Sequence, residues 1–172
     1  MSDSLRLVKV EGEFRPLLLK GDRQAVGSAV SGWVEFGLAA RVVRGRKMRT
    51  VSGLFDEFAA AFQFPLYFGE NWSAFDECIA DLETLPAAGG YVVVIVEPEQ
   101  VLAEAGADEL GLLVDSLESA ALGWGQPVEL GEWWDRPGIP FHVVLAGEPD
   151  AIELAARRWA EAGVEPLPYE QE

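Results

Sequence analysis

Twelve consecutive residues carry the side chains best suited to chemistry: Tyr67-Phe68-Gly69-Glu70-Asn71-Trp72-Ser73-Ala74-Phe75-Asp76-Glu77-Cys78. Two adjacent carboxylates, Asp76 and Glu77, stand near the end of the run. Neighbouring side chains on a helix diverge by about 100°, whereas a carboxyl pair cleaving a glycosidic bond must flank it roughly 5–10 Å apart. Adjacent acids are better placed to meet cations. A carboxylate paired with a guanidinium makes short, charge-assisted bonds about twice as strong as neutral ones. Tyr67, an aromatic with a hydroxyl, is an interface-anchor type. Gly69 lets the backbone turn sharply or another molecule approach closely.

No catalytic set accompanies them. His142, the one histidine, precedes Val143 and Val144 in an apolar run and reads as a core or strand-end residue. Cys78, the one cysteine, sits beside Ile79 and reads as a small packing hydrophobe. A single cysteine excludes an internal disulfide and a multi-cysteine metal site. There is no Gly-rich phosphate loop, metal-ligand spacing or nucleophile elbow. The expectation is a protein that is not an enzyme, with no catalytic residue, cofactor or metal.

The charge pattern points the same way. Between Thr50 and Asp135 there are 17 Asp and Glu and no Lys, Arg or His. Side-chain charge is about +5 over residues 1–49, −17 over 50–135 and −4 over 136–172. Such a block speeds encounter with a basic protein and keeps nucleic acid away. Ten of the 13 basic residues precede Thr50, but they alternate with apolar residues and lack an aromatic platform. Direct nucleic-acid binding is therefore not expected, and these bases are expected to dock against the acidic block. The longest apolar run, Tyr91 to Val96, is far short of the roughly 20 residues that span a bilayer. Met1-Ser2-Asp3-Ser4 lacks the basic-then-apolar order of a signal peptide, so cytoplasmic residence is expected.

The elements that must position the twelve residues follow from periodicity. Asn71 is a good helix cap. Trp72, Phe75, Ile79 and Leu82 make one stripe facing a core, and Ser73, Asp76, Glu77 and Ala80 make the opposite one. Upstream, Ala39 to Val43 reads as a strand, Arg44-Gly45-Arg46 as a turn, and Ser52 as the cap of a helix carrying Leu54, Phe55, Phe58 and Phe62 until Pro65. Tyr91 to Val96 reads as a strand buried on both faces. Leu110, Leu113, Val114 and Leu117 mark a helix ended by Gly123 and Gly125, and Ile139 to Leu145 another buried strand. Pro149 opens a last helix, to about Ala162. In residues 1–37, Leu5 to Val10, Arg15 to Leu19 and Trp33 to Phe36 read as strands, which together predict a small β appendage.

The stretch Pro65-Leu-Tyr-Phe-Gly-Glu-Asn-Trp-Ser-Ala-Phe-Asp-Glu-Cys78, preceded by Val43-Arg-Gly-Arg-Lys-Met-Arg-Thr-Val-Ser52, resembles the barstar family of intracellular ribonuclease inhibitors. The resemblance implies a barstar-like α/β fold, a three-stranded parallel sheet packed with helices. It also implies a loop and helix face that plug a ribonuclease active site, acids standing in for substrate phosphates. By position, Tyr67 and Gly69 match the family's loop contacts, Asn71 the cap and Glu77 the dominant acidic contact. Ser73 stands where the best-known member has an interface Asp, and Asp76 where it has Trp. A further acidic contact on the later helix falls among Asp115, Ser116, Glu118 and Ser119.

The sequence reading is thus an N-terminal β-rich appendage (1–37), a barstar-like α/β domain (38–147) and a C-terminal helical extension (148–172). The expected function is inhibition of a basic ribonuclease or related toxin, through Tyr67, Gly69, Asn71, Trp72, Ser73, Asp76 and Glu77. The competing reading is an acidic regulatory module or nucleic-acid mimic that binds a different basic protein without inhibiting a nuclease.

Overall fold

Five strands, all parallel, form one sheet in the computed structural model, which describes residues 4–82, 84–86 and 89–170. Of the four residues read for a signal peptide, 1–3 lie outside that set. Chain order runs α1 (Ser4–Leu7), β1 (Leu17–Lys20), α2 (Arg23–Glu35), β2 (Ala39–Arg44), α3 (Val51–Phe62), α4 (Trp72–Asp81), β3 (Tyr91–Val96), α5 (Glu109–Gly125), β4 (Phe141–Gly147), α6 (Pro149–Glu161) and β5 (Leu167–Pro168). The spatial order of strands is β2-β3-β4-β1-β5.

This corrects the three-stranded expectation. β2, β3 and β4 are the predicted core strands, but β1 pairs along the whole of its length with β4, from Leu17 opposite Val144 to Lys20 opposite Gly147. β5 then pairs with β1. The physical reason is the run Leu17-Leu18-Leu19, whose alternate side chains enter the cores on opposite faces of the sheet. Continuous apolar runs of that kind belong to strands covered on both sides.

The β appendage is corrected for the same segment. α1 begins at Ser4 and no strand forms across residues 5–10, while Trp33 to Glu35 end α2 rather than starting a strand. Asp22 caps α2 by accepting from the Ala25 N–H at 2.8 Å, and Val26, Ala29 and Trp33 form its buried stripe. Gly27 and Gly32 disguise the helix in sequence, since interior glycine costs about 1 kcal/mol against alanine. A Cβ on either would meet nothing within 4 Å. Burial of the valine and tryptophan stripe outweighs the two glycines.

Two cores result. On one face, α3, α4, α5 and α6 cover the sheet through Phe58, Phe62, Phe75, Ile79, Leu113, Leu117 and Trp159. On the other, α2 packs over Ala40, Val92, Val94 and Val144, and Trp33 donates its indole N–H to the Tyr169 hydroxyl at 3.1 Å. Among the described residues, no helix is long and apolar enough to cross a membrane.

Candidate partner-binding site

The loop before α4 is shaped by its aromatics. Phe64 is buried, and Phe68 contacts it edge-on at 5.2 Å and Phe55 at 5.6 Å. Between these anchors the Phe68 N–H donates to the Pro65 carbonyl at 2.9 Å, closing a four-residue turn. Leu66 and Tyr67 occupy its two central positions and project outward, Tyr67 being 83% exposed. Asn71 ends the loop and starts the helix. Its Oδ1 accepts from the Ala74 N–H at 2.8 Å while its Nδ2 donates to the Gly69 carbonyl at 3.2 Å.

The sharp backbone turn lies at Glu70, in the left-handed region at φ 50°, and not at Gly69. Gly69 matters through space: a Cβ there would come within 3.3 Å of Asn71 Nδ2.

α4 presents the predicted two faces. Phe75 and Ile79 are fully buried and Leu82, just past the helix, nearly so; Ser73, Asp76, Glu77 and Ala80 are exposed. Trp72 is half-buried. Its ring meets Phe55 at 5.1 Å and Phe75 at 5.6 Å, and its indole N–H donates to Glu109 at 2.9 Å. The helix therefore has a braced side and a free side.

Tyr67 and Glu77 line one shallow depression of about 130 Å³, together with Cys78 and Asp81. The structure thus brings the loop aromatic and the helix acid to one surface, with Asp76 beside them in the chain. Cys78 is half-buried, and burial, reinforced by Glu77 and Asp81, pushes its thiol pKa up. It is held as a neutral thiol.

The acids of this face have no internal counter-ion among the described residues. Among the described residues, no ion pair reaches Glu70, Asp76, Glu77 or Asp81. Elsewhere in the acidic block three acids are paired by bases that precede Thr50. Arg44 grips Glu57 with two guanidinium nitrogens at 2.8 and 2.9 Å, Arg46 meets Glu97 at 2.7 Å, and Arg49 meets Glu104 at 3.3 Å. The Arg44 hydrogen bond holds the Glu57 carboxyl below its usual pKa.

Sequence reasoning did not single out Leu66, Glu70 and Asp81 for this surface. Leu66 had a readable signal: an apolar residue inside a turn begun by proline has nothing of its own to pack on. On α5, Asp115, Glu118 and Ser119 are exposed and Ser116 is buried, so the four candidates for a further contact reduce to three. His142 is buried on β4, its Nε2–H donating to the Lys9 carbonyl at 2.8 Å, and burial lowers its pKa. Among the described residues no cluster of His, Cys, Asp or Glu could hold a metal.

Fold and site together define an α/β protein with an unneutralised acidic helix face beside an exposed aromatic loop. The chain belongs to the barstar family: the family model described as barstar (barnase inhibitor) matches residues 38–146. No curated protein matches the chain. Among solved structures it is similar to the Walker-type ATPase PABY2304 of Pyrococcus abyssi, with a TM-score of 0.54 at 13% identity over 97% of this chain and 51% of that one. It is likewise similar to Cdc6p from Pyrobaculum aerophilum, with a TM-score of 0.54 at 14% identity over 97% of this chain and 42% of that one. The chain spans about half or less of either protein, and at this identity the likeness concerns the fold alone.

Proposed function

We propose that this protein inhibits a basic ribonuclease or related toxin by laying the exposed face of α4 and the Leu66–Tyr67 turn over its active site. The observation that carries the reading is the pairing of Tyr67 and Glu77 on one depression, next to acids with no counter-ion among the described residues. Asp76 and Glu77 would meet the cationic groups that hold a phosphate, with Tyr67 as the aromatic anchor. Ser73 and Gly69 give the close-approach part of the surface. Asn71 and Trp72 act by fixing the loop and the helix. Glu70 and Asp81 extend the negative field that speeds encounter.

The protein acts by binding and not by catalysis. Its β1–α2 turn reads Gly21-Asp22-Arg23-Gln24-Ala25, with no glycine-rich loop leading to a Gly-Lys-Ser/Thr signature. The Asp22 carboxylate accepts the Ala25 N–H in the first turn of α2, and its negative charge stands where a phosphate would bind. An intracellular nuclease is the matching target, and cytoplasmic action follows from it.

The test is titration of purified protein against basic ribonucleases, following both binding and RNA cleavage. Glu77→Ala is expected to weaken the complex by about 2 kcal/mol or more, roughly thirtyfold, as for a desolvated charge partner. Unchanged affinity would remove Glu77 from the site. Tight binding of a basic protein without loss of cleavage would favour the acidic-module reading.

A further inference from the structure

Away from α4, on the opposite face of the sheet, the carboxyl ends of the strands enclose a second concavity of about 520 Å³. Its floor is Val42, Val96 and Ala146, from the ends of β2, β3 and β4, and its wall is Val26, Gly27 and Val30 of α2. β4 and β1 lie side by side, yet the helix after β1 packs on one face and the helix after β4 on the other. Open α/β sheets bind ligands in the crevice at such a switch point, outside the carboxyl ends of the strands. The volume is that of a small-molecule pocket.

The rim decides the ligand's charge. Arg44 and Arg46 line the cavity but are engaged by Glu57 and Glu97. What is left is Arg23 against Asp22, Glu99 and Glu148, a net charge of −2 from these four lining side chains. Glu148 precedes α6 without making a side-chain cap bond, and Glu99 keeps its Oε2 buried with no donor. At the α2 N-terminus a ligand anion would meet the Asp22 carboxylate, which already accepts the Ala25 N–H. Gly27 keeps the wall open, since a Cβ there would touch nothing.

We propose that this cavity is a binding site for a small amphipathic amine, its apolar body on the valine floor and its ammonium group at Glu99 and Glu148. Burial of the apolar body supplies the attraction. The rim carboxylates supply the preference for positive charge, Glu148 the more so because Glu99 has the Arg158 guanidinium beside it. The site is independent of the α4 surface, because the sheet separates the two.

Three isosteric probes test it: phenethylamine, 2-phenylethanol and phenylacetate, titrated into the full-length ¹⁵N-labelled protein up to about 10 mM, a range that detects affinities of a few kcal/mol. Phenethylamine is expected to shift the amides of Gly27, Val30, Val42 and Ala146 saturably. Phenylethanol should bind at least fivefold more weakly and phenylacetate not at all. The double variant Glu99→Gln/Glu148→Gln should abolish the preference for the amine. Gly27→Phe should fill the cavity and remove binding while leaving the affinity for a basic ribonuclease unchanged, and Val42→Trp, at a half-exposed edge position, serves if that variant does not fold. No saturable shifts, equal binding of all three probes, or wild-type affinity in a folded cavity-filling variant would each overturn the proposal.

Discussion

The indole N–H of Trp72 donates to the carboxylate of Glu109 at 2.9 Å, joining the first residue of α4 to the first residue of α5. At the far ends of the same helices, Trp124 donates its indole N–H to the Ile79 carbonyl at 3.0 Å. α4 is thus pinned at both ends to a long neighbour. The helix that carries the exposed acids is fixed before any partner arrives, which lowers the backbone-ordering cost of binding. Trp72→Phe keeps the aromatic packing and deletes the bond. It is expected to destabilise the fold by about 1–2 kcal/mol, the worth of a partly buried hydrogen bond to a charged group. Glu109→Gln retains an acceptor and should cost less. Urea unfolding compares the two, and equal stability of Trp72→Phe and wild type would mean that the brace carries no load.

Asn71 joins the loop to α4 by capping the helix and tethering the Gly69 carbonyl. Asn71→Ala should cost about 1 kcal/mol for the lost cap. Asn71→Asp keeps the cap acceptor and loses only the tether. Thermal unfolding should therefore show Asp close to wild type and Ala clearly lower. Amide exchange at Gly69 and Glu70 should quicken in both variants, and a loop as protected in both as in the wild type would place its rigidity elsewhere.

Gly45 sits where the ends of β2 and β3 press together. A Cβ on it would lie 1.8 Å from the Glu97 carbonyl oxygen and 2.7 Å from the carbonyl carbon. Backbone cannot yield as a flexible side chain does. Gly45→Ala is expected to lower stability by about 3 kcal/mol or more. It should also loosen the Arg46–Glu97 pair that spans the same join. A denaturation midpoint within error of wild type would show that the two turns are not in contact.

What was readable in the sequence tracks how local each signal is. α4, its Asn71 cap and its two stripes follow from spacing within a dozen residues. β3 announces itself through an unbroken β-branched run. The α3 cap fell two residues from the Ser52 expected, at Thr50, whose hydroxyl accepts from the Gly53 N–H at 3.1 Å; Thr and Ser are nearly equivalent caps. The place of β1 is a different matter, because Leu17-Leu18-Leu19 finds its partner more than 120 residues away in β4. Nothing local distinguishes an appended strand from one inserted into the sheet. The cavity beside α2 is equally unreadable, since its lining comes from three strand ends, two helices and the turns between them. The depression shared by Tyr67 and Glu77 falls between these cases: both residues were singled out, but their meeting depends on how Phe64 and Phe68 anchor the turn.

His142 makes the stability of the fold depend on pH. It is buried against the Lys9 carbonyl, and desolvation, the largest effect on it, places its pKa below the ordinary 6.5. In the unfolded chain the imidazole takes up a proton near 6.5, while in the folded chain it stays neutral to lower pH. Below about pH 7 the unfolded state therefore binds more protons, so stability falls as pH drops and goes on falling until the folded pKa is reached. His142→Gln keeps a donor for the Lys9 carbonyl and cannot titrate in this range. Urea midpoints measured from about pH 7.5 to 5.5 should decline for the wild type and stay nearly level for the variant. Parallel declines would mean that another group titrates in the same interval and that His142 is not the residue held neutral by burial.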